Sequence, residues 1–323
     1  MGKRYTWIIA GAAMACGTVG HAQQNYPVRP VRLLVNVQPG GAADYVARVM
    51  GQKLGDVLGQ VFVVDNRTGG SGMAAAVYVA KAAADGHTLL LASVGTHGIR
   101  PSMYKKLPFD PVNEFAPIGL YGSMPLIMVV NAQLPVKSVA ELIALSQARP
   151  GGMSFASGGA GGAPHLLGEL FKMVTGAKIE HIPYKGSAPA AADLAGGQVQ
   201  MAFDAVAPQL PHLKSGRTRV LAVTTPARMS IAPDAPTMIE LGYPQINGSV
   251  WYGLAAPAGT PRAIIQRLNA ESNRLLANQE IKDRFSGVGI DAAGGTPEQF
   301  GIFIKEEIAK WGTVVKAAGI TPE

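Results

Sequence analysis

Short apolar runs that pass straight into glycine-rich breaks, and then into helix-spaced stripes, recur along this chain and constrain its fold more than any other feature. Residues 31–37 (VRLLVNV) are β-branched, apolar and bounded by turn formers, the pattern of a buried strand. Gln38-Pro39-Gly40-Gly41 breaks the run, and Val46, Val49, Met50, Leu54, Val57 and Leu58 then share one helical stripe. The succession returns as a strand at 61–64, a glycine-rich loop at 66–72 and a helix at 74–84. It returns again as a strand at 88–92 ended by Ser93-Val94-Gly95-Thr96. Strands alternating with helices predict an α/β architecture built on a parallel sheet.

A second unit starts at 126–130 (LIMVV), with a helix at 139–148 and a strand at 153–156. That strand runs into Ser157-Gly158-Gly159-Ala160-Gly161-Gly162, the most glycine-dense loop of the chain. Pro164 suits the first turn of a helix that lasts to Thr175, with Gly176 as its stop. Further strands are expected at 178–182, 199–203, 219–224 and 251–256. Thr260-Pro261 opens a helix carrying Ile264, Ile265, Leu268, Leu275 and Leu276. Thr296-Pro297-Glu298-Gln299 has capping-box spacing before a last helix that buries Phe300, Phe303, Ile304, Ile308, Trp311 and Val315. In open α/β sheets the ligand lies beyond the carboxyl ends of the strands, so the glycine-rich loops of both units would line one cleft.

A chain of 323 residues accommodates about two domains. Its 48% hydrophobic content builds a full core and excludes disorder, and beyond the N-terminus no apolar run is long enough to cross a membrane. Lys3 and Arg4, the apolar stretch 7–19 and the small residues Gly20 and Ala22 form an export-signal pattern, with cleavage expected after Ala22. Cleavage there removes Cys16, the sole cysteine, and with it any disulfide or thiol chemistry. Without Lys3 and Arg4 the balance is 28 − 2 basic against 21 acidic residues, or +5, scattered rather than clustered. Nucleic-acid binding has little support in such a distribution, whereas an anionic small molecule suits it.

Enzyme motifs are missing. There is no G-x-S-x-G elbow and no HExxH. No two of His87, His97, His165, His181 and His212 stand at helical zinc spacing from one another. Gly70-Ser71-Gly72-Met73-Ala74-Ala75 fits a loose dinucleotide fingerprint, yet residues 65–68 separate it from its strand, so it reads as a loop of close backbone packing. Neither catalysis, nor a cofactor, nor a metal is expected. What remains is a set of loops rich in backbone N–H groups at helix N-termini, with hydroxyls at Ser157 and Thr96 and an imidazole at His165. Such ends hold carboxylates or phosphates.

At these residues the chain resembles the periplasmic substrate-binding proteins of tripartite tricarboxylate transporters, the Bug or TctC family. The likeness runs from about Tyr26 to Ile320. It is carried by Tyr26-Pro27, Arg29-Pro30-Val31-Arg32, Pro39-Gly40-Gly41 with Asp44, Asn66-Arg67, Asp85-Gly86 and Leu107-Pro108-Phe109-Asp110-Pro111. Further on it is carried by Ser157-Gly158, His165-Leu166, Gly168-Glu169-Leu170-Phe171, His181-Ile182-Pro183-Tyr184-Lys185-Gly186, Pro236-Thr237 and Ala256-Pro257-Ala258-Gly259-Thr260-Pro261. The ordered set, more than any one motif, is specific.

The resemblance implies a two-domain periplasmic binding protein fold of type II-like organisation, with 23–124 and 249–323 in one domain and 125–248 in the other. It implies a monomer that closes on a small carboxylated ligand and delivers it to membrane permease subunits. A partner of a sensor kinase is the alternative, and a periplasmic hydrolase a more remote one. Carried over residue by residue, the ligand-binding set is Gln38, Pro39, Gly40, Gly41, Asp44, Ser93, Thr96, Ser157, Gly158, Gly161, His165, Tyr184, Lys185 and Asp204. Lys185 also reads as a solvated lysine, Asp204 as a cap for the helix holding Pro208, and Asp44 as a stabiliser of the first helix. Crossings near 123–126 and 248–251 are the expected hinges, with Gly122, Gly248 and Gly253 tolerating the dihedral change. The chain departs from the family at Val35-Asn36-Val37-Gln38, at Thr68-Gly69-Gly70-Ser71-Gly72 and at Arg100-Pro101, where Asn-Pro is common.

Overall fold

A computed structural model describes residues 26–229 and 232–320. The export-signal segment 1–22 lies outside the described residues. Among the described residues there are ten strands: β1 (Val31–Val35), β2 (Phe62–Asn66), β3 (Thr88–Ser93), β4 (Phe115–Asn131), β5 (Met153–Ser157), β6 (Ile179–Pro183), β7 (Met201–Ala205), β8 (Thr218–Val223), β9 (Ser249–Pro257) and β10 (Asp291–Gly294). The helices of the first half are α1 (Ala42–Leu58), α2 (Gly69–Gly72), α3 (Ala74–Ala80) and α4 (Arg100–Met103), the last preceded by a π-helical turn at Val94–Ile99. Then come α5 (Val139–Ala148), α6 (Ala163–Thr175), α7 (Ser187–Ala195), α8 (Val206–Lys214), α9 (Arg262–Ala277), α10 (Gln279–Ser286) and α11 (Pro297–Ala317).

The strands are ordered β2-β1-β3-β9-β4-β7-β5-β6, with β8 and β10 also pairing on β4. The pairs β1–β2, β1–β3, β5–β6 and β5–β7 are parallel, as strand–helix alternation predicts. The centre departs from that expectation. β9 and β4 pair antiparallel with each other and with their neighbours β3 and β7, so the sheet is mixed. β4 is 17 residues long and begins eleven residues before the apolar run 126–130 that marks it in sequence. Pro117, Gly119, Gly122 and Pro125 disguise its first half; register shifts between Pro117 and Gly119 and between Leu120 and Gly122 absorb them.

The fold is therefore two lobes strung on one strand. The first half of β4 joins β1, β2, β3, β9 and β10, and its second half joins β5, β6, β7 and β8. Both sets of parallel strands aim their carboxyl ends at the middle of β4. Ser93, the end of β3, pairs with Tyr252, which pairs with Gly122, while Ala205, the end of β7, pairs with Leu126. Gly122 to Leu126 is four steps of about 3.3 Å, so the two ends stand roughly 13 Å apart along β4. A small molecule with its surrounding loops fits that interval.

α11 braces the two lobes. It packs on the π-helical turn, α4 and β4 of the first lobe and on α6 of the second. The Nε1–H groups of Trp251 on β9 and Trp311 on α11 both donate to Glu307 Oε2, at 2.8 and 2.9 Å, and Lys310 pairs with Glu307 Oε1. At the crossing, the Thr224 hydroxyl lies 2.7 Å from the carbonyl oxygens of both Leu126 and Gly248, tying the two connecting segments together. The three glycines expected to serve as hinges have another reason to be there. A Cβ on Gly122 would sit 2.7 Å from the Asp291 carbonyl oxygen, on Gly253 2.3 Å from Phe300 Cζ, and on Gly248 3.1 Å from Leu167 Cδ1. Close packing against backbone and ring accounts for Gly122 and Gly253, while at Gly248 the neighbour is the end of the Leu167 side chain.

Candidate functional site

On the second lobe, β5 delivers Ser157 to the loop that precedes α6. Ser157 is buried, and its Oγ is 2.8 Å from the Gly159 carbonyl oxygen, 2.7 Å from His181 Nε2 and 3.3 Å from the Gly159 amide nitrogen. A hydroxyl has one proton and two acceptor sites. Donation to the Gly159 carbonyl therefore assigns the Nε2–H tautomer to His181, which then donates to Ser157. His165, one turn into α6, accepts the Gly161 amide on Nδ1 at 3.0 Å and stacks on His181 with ring centroids 3.8 Å apart. Its Nε2 faces Glu169 at 4.0 Å, and Glu169 is paired with Lys172 at 2.6 Å. Burial lowers the pKa of both imidazoles, His181 to about 4 with the His165 and Lys172 charges adding to the effect, so the pair is neutral at pH 7.

The glycine loop is thus held from beneath by Ser157, His165 and His181, and from the side by the next turn. The Tyr184 amide donates to the Ser157 carbonyl and the Gly186 amide to the Gly158 carbonyl, both at 3.0 Å. Gly158 is so close to that turn that a Cβ on it would meet the Ser187 backbone nitrogen at 2.9 Å. The Tyr184 hydroxyl donates to Asp193 at 2.8 Å, and burial followed by that hydrogen bond pushes its pKa up to about 12. Lys185 is exposed. Asp204, at the end of β7, is 3% exposed and accepts from the Ala205 amide, Gln209 Nε2 and the Ser187 side chain; burial raises its pKa despite these bonds. It braces the start of α8 through Gln209 rather than acting as its N-cap, which is Ala205.

On the first lobe, Gln38, Pro39, Gly40 and Gly41 form an exposed loop entering α1, with Gln38 Nε2 3.3 Å from Thr68 Oγ1. Asp44 folds this loop. Its carboxylate accepts from the Gly40 amide, from Arg48 through two nitrogens and from Asn66. Burial acts to raise the Asp44 pKa, but those bonds outweigh it and hold the carboxyl down at about 2. Thr96 is fully buried and Ser93 nearly so; the Ser93 amide donates to Thr96 Oγ1 at 3.2 Å, and Thr96 also meets His97 Nδ1 at 2.9 Å. These two hydroxyls shape the π-helical turn from inside.

The sequence-selected residues lie at or just beyond the carboxyl ends of β1, β3, β5, β6 and β7, and many of their polar atoms serve the loops themselves. The donors left for a ligand are the helix ends. The N-caps of α1, α6, α7 and α8 are Gly41, Gly162, Gly186 and Ala205, none of which provides a side-chain cap. Among the helices that start elsewhere, α5, α10 and α11 are capped by Ser138, Asn278 and Thr296, while α9, entered from Pro261, has no side-chain cap either. The first turns of α6 and α7 also contain no acidic residue, so their end charge is not neutralised locally.

Sequence reading passed over three residues that touch these loops. His181 lies 24 residues from Ser157, and only the parallel pairing of β5 with β6 brings them together. Asn36 donates to the Gly72 carbonyl and leaves Oδ1 buried without a partner among the described residues. Arg100 lies against the backbones of both Gly72 and Gly95. Asn36 and Arg100 were visible in sequence only as departures from a family pattern.

Comparison with known proteins agrees with this architecture. The family described as "Tripartite tricarboxylate transporter family receptor", TctC, matches residues 46–320. Protein BugT of Bordetella pertussis is 40% identical over 295 residues, which is 91% of this chain and 90% of that protein. Among solved structures, R. palustris Rpa4515 with adipate is 38% identical with a TM-score of 0.78, covering 92% of this chain and 100% of that one. MatC (Rpa3494) from Rhodopseudomonas palustris with bound malate is 31% identical with a TM-score of 0.74, covering 90% and 100%. The family match runs from within α1 through β2 to β10 and the bracing helix, and the chain belongs to the TctC family of solute-binding receptors.

Proposed function

We propose that the protein works in the periplasm, exported through its N-terminal signal, and captures a small carboxylate between its two lobes for uptake by a tripartite tricarboxylate-type transporter. The division falls at 124/125 and 248/249, where β4 and the segment before β9 cross. The observation that carries this reading is the convergence of helix N-termini without side-chain caps on the ends of β1, β5, β6 and β7. α6, with 13 residues behind it and no acid in its first turn, is the end we assign to the anion, although Pro164 there has no N–H to give. Backbone amides then supply the hydrogen bonds, and Lys185, exposed at the rim, adds only long-range attraction.

Binding without turnover follows from the same geometry. Ser157 resembles half of a nucleophile pair with His181, but its proton is directed to Gly159 and the imidazole donates rather than accepts. Such a serine is not activated. The test is a thermal-shift screen of the mature protein against succinate, malate, citrate, adipate, glutamate and benzoate. Ligand at about 100 times its dissociation constant stabilises the fold by roughly 2.7 kcal/mol, a plain shift in melting temperature. Flat curves across all of these acids would reject the carboxylate reading.

A further inference from the structure

β2 ends the sheet of the first lobe, with β1 on one side and no strand on the other. The Val31 amide donates to the Val61 carbonyl and the Arg67 amide to the Val35 carbonyl, so the odd-numbered residues here turn their backbone groups toward β1. Those of Phe62 and Val64 turn outward, as alternation along a strand requires. Natural sheets blunt such an edge with charges, shorten it or cover it. β2 is short, at five residues, but its one acid, Asp65, is taken up by Arg32 and Arg67. The side chains around the edge are apolar instead. Val57, Val61, Val63 and Tyr78 are four of the nine large hydrophobic side chains that stand exposed among the described residues. Tyr78 on α3 is held between two guanidiniums: Arg32 Nη1 donates to its hydroxyl at 2.8 Å, and the Arg67 Cζ lies 3.9 Å from its ring centroid. Arg67, Tyr78 and Lys81 line a hollow of about 610 Å³ together with Met73, Val77 and Pro108, and among the described residues no acid lines it.

We propose that the β2 edge docks an extended acidic segment of a partner protein, which joins the sheet as a strand and lays its carboxylates against Arg32, Arg67 and Lys81. Main-chain pairing uses the outward groups of Phe62 and Val64, and the side chains beside them set which segment fits. Tyrosine and arginine carry much of the energy at protein interfaces. Here Tyr78, Arg32 and Arg67 already hold one another in place, so little freedom is lost when a partner arrives. Charge selects the partner's sign. Asp65 balances one of the three cations, so an acidic strand is attracted on approach and in place, and a basic one is repelled. A second copy of this chain would bring its own excess of cations to the same edge. None of these residues belongs to the ligand-binding set, so the proposal stands apart from the carboxylate reading.

The test uses the mature protein and two labelled synthetic peptides of about seven residues, one alternating glutamate with valine and the other lysine with valine. Fluorescence anisotropy measures affinity, and hydrogen exchange of the Phe62 and Val64 amides reports where the peptide sits. The acidic peptide is expected to bind at least about tenfold more tightly than the basic one, to weaken as salt is raised, and to slow exchange of both amides. Val64→Pro deletes an outward N–H at an edge position that tolerates proline, and is expected to abolish binding while the protein still unfolds cooperatively in urea. Lys81→Glu is expected to narrow the preference for the acidic peptide several-fold. No binding of the acidic peptide, equal affinity for both peptides, or binding that Val64→Pro leaves intact would each overturn the proposal. So would a dimer, seen by sedimentation of the protein alone, that Val64→Pro dissolves, since the edge would then belong to a second copy. Should Val64→Pro not fold, Val63→Glu at an exposed site repels the same peptide and delivers the comparison. Melting shifts with carboxylates are expected to be the same in all these variants, so a failure here leaves the interlobe reading untouched.

Discussion

Ser157, His165 and His181 show how little of a binding loop's polarity is left for the ligand. The serine hydroxyl joins two segments of its own loop and the imidazole of the next strand, so Ser157→Ala acts first on the loop. It is expected to cost about 1–3 kcal/mol of stability, measured by urea unfolding, because the Gly159 carbonyl and His181 lose their partner in a buried setting. Carboxylate affinity falls with it, whereas Lys185→Ala leaves affinity nearly unchanged, since that amine is exposed. A steeper loss in Lys185→Ala than in Ser157→Ala, by calorimetry, would instead place the ligand on an ion pair. Burial also depresses the pKa values of His97, His165 and His181, His97 to about 3 and His181 to about 4. The unfolded chain, with histidines near 6.5, takes up protons first as pH falls. Stability is therefore full above about pH 6.5 and is lost on descending toward 4, with each histidine contributing at most about 1.4 kcal/mol per pH unit. His181→Gln, which keeps a donor for Ser157, should flatten part of that slope in melting curves taken between pH 7 and 4. An unchanged slope would remove His181 from the account.

At the scale of elements, most helices and parallel strands were legible because each declares itself locally. Pro164 and Gly176 bracket α6, the Thr296–Gln299 spacing is a capping box in the structure, and the stripe from Val46 to Leu54 is buried. What was hidden depends on partners distant in sequence. The first half of β4 carries two glycines and two prolines and is a strand because β9 lies beside it; β10 is four residues that pair with β4 and pack against α9 and α10. The glycine loop is a mixed case. Its composition announced a site, but Gly158 is small because the Gly186–Ser187 turn presses on it, a fact no local pattern carries. Gly158→Ala is accordingly expected to lower stability even without ligand, and a variant as stable as wild type would return that glycine to a ligand-facing role. α11 offers a cleaner test. Glu307→Ala strands two buried indole N–H groups and an ammonium, for a loss of roughly 2–5 kcal/mol in denaturant unfolding. Glu307→Gln keeps one acceptor and should lose less.

For the molecule as a whole, the question is what lets two lobes on one continuous strand move. β4 runs through both sheets, so any hinge bends it near Pro125 and Leu126, where its pairing passes from β9 to β7. The second connection reaches β9 at Ser249, which pairs with Pro125, and so both crossings lie side by side. Thr224 fastens them, its hydroxyl against the Leu126 and Gly248 carbonyls and its amide 3.1 Å from Leu126 O. Meanwhile Gly122 and Gly253 lie too close to Asp291 and Phe300 for any side chain, so the strands beside the pivot are tightly packed. A ligand held between them, as proposed above, would make both sets of contacts only in the closed form, so its binding is expected to shift the population toward closure. Small-angle scattering should then show a smaller radius of gyration with saturating ligand than without. Thr224→Val removes the fastening hydroxyl at constant volume and is expected to cost about 1–3 kcal/mol while enlarging the ligand-free radius. Ligand should still draw that variant closed, at weaker affinity, because part of the binding energy goes into closing a looser pivot. A ligand-free radius equal to wild type in Thr224→Val, together with no contraction of either protein on binding, would mean a rigid cleft whose lobes are set by β4 alone.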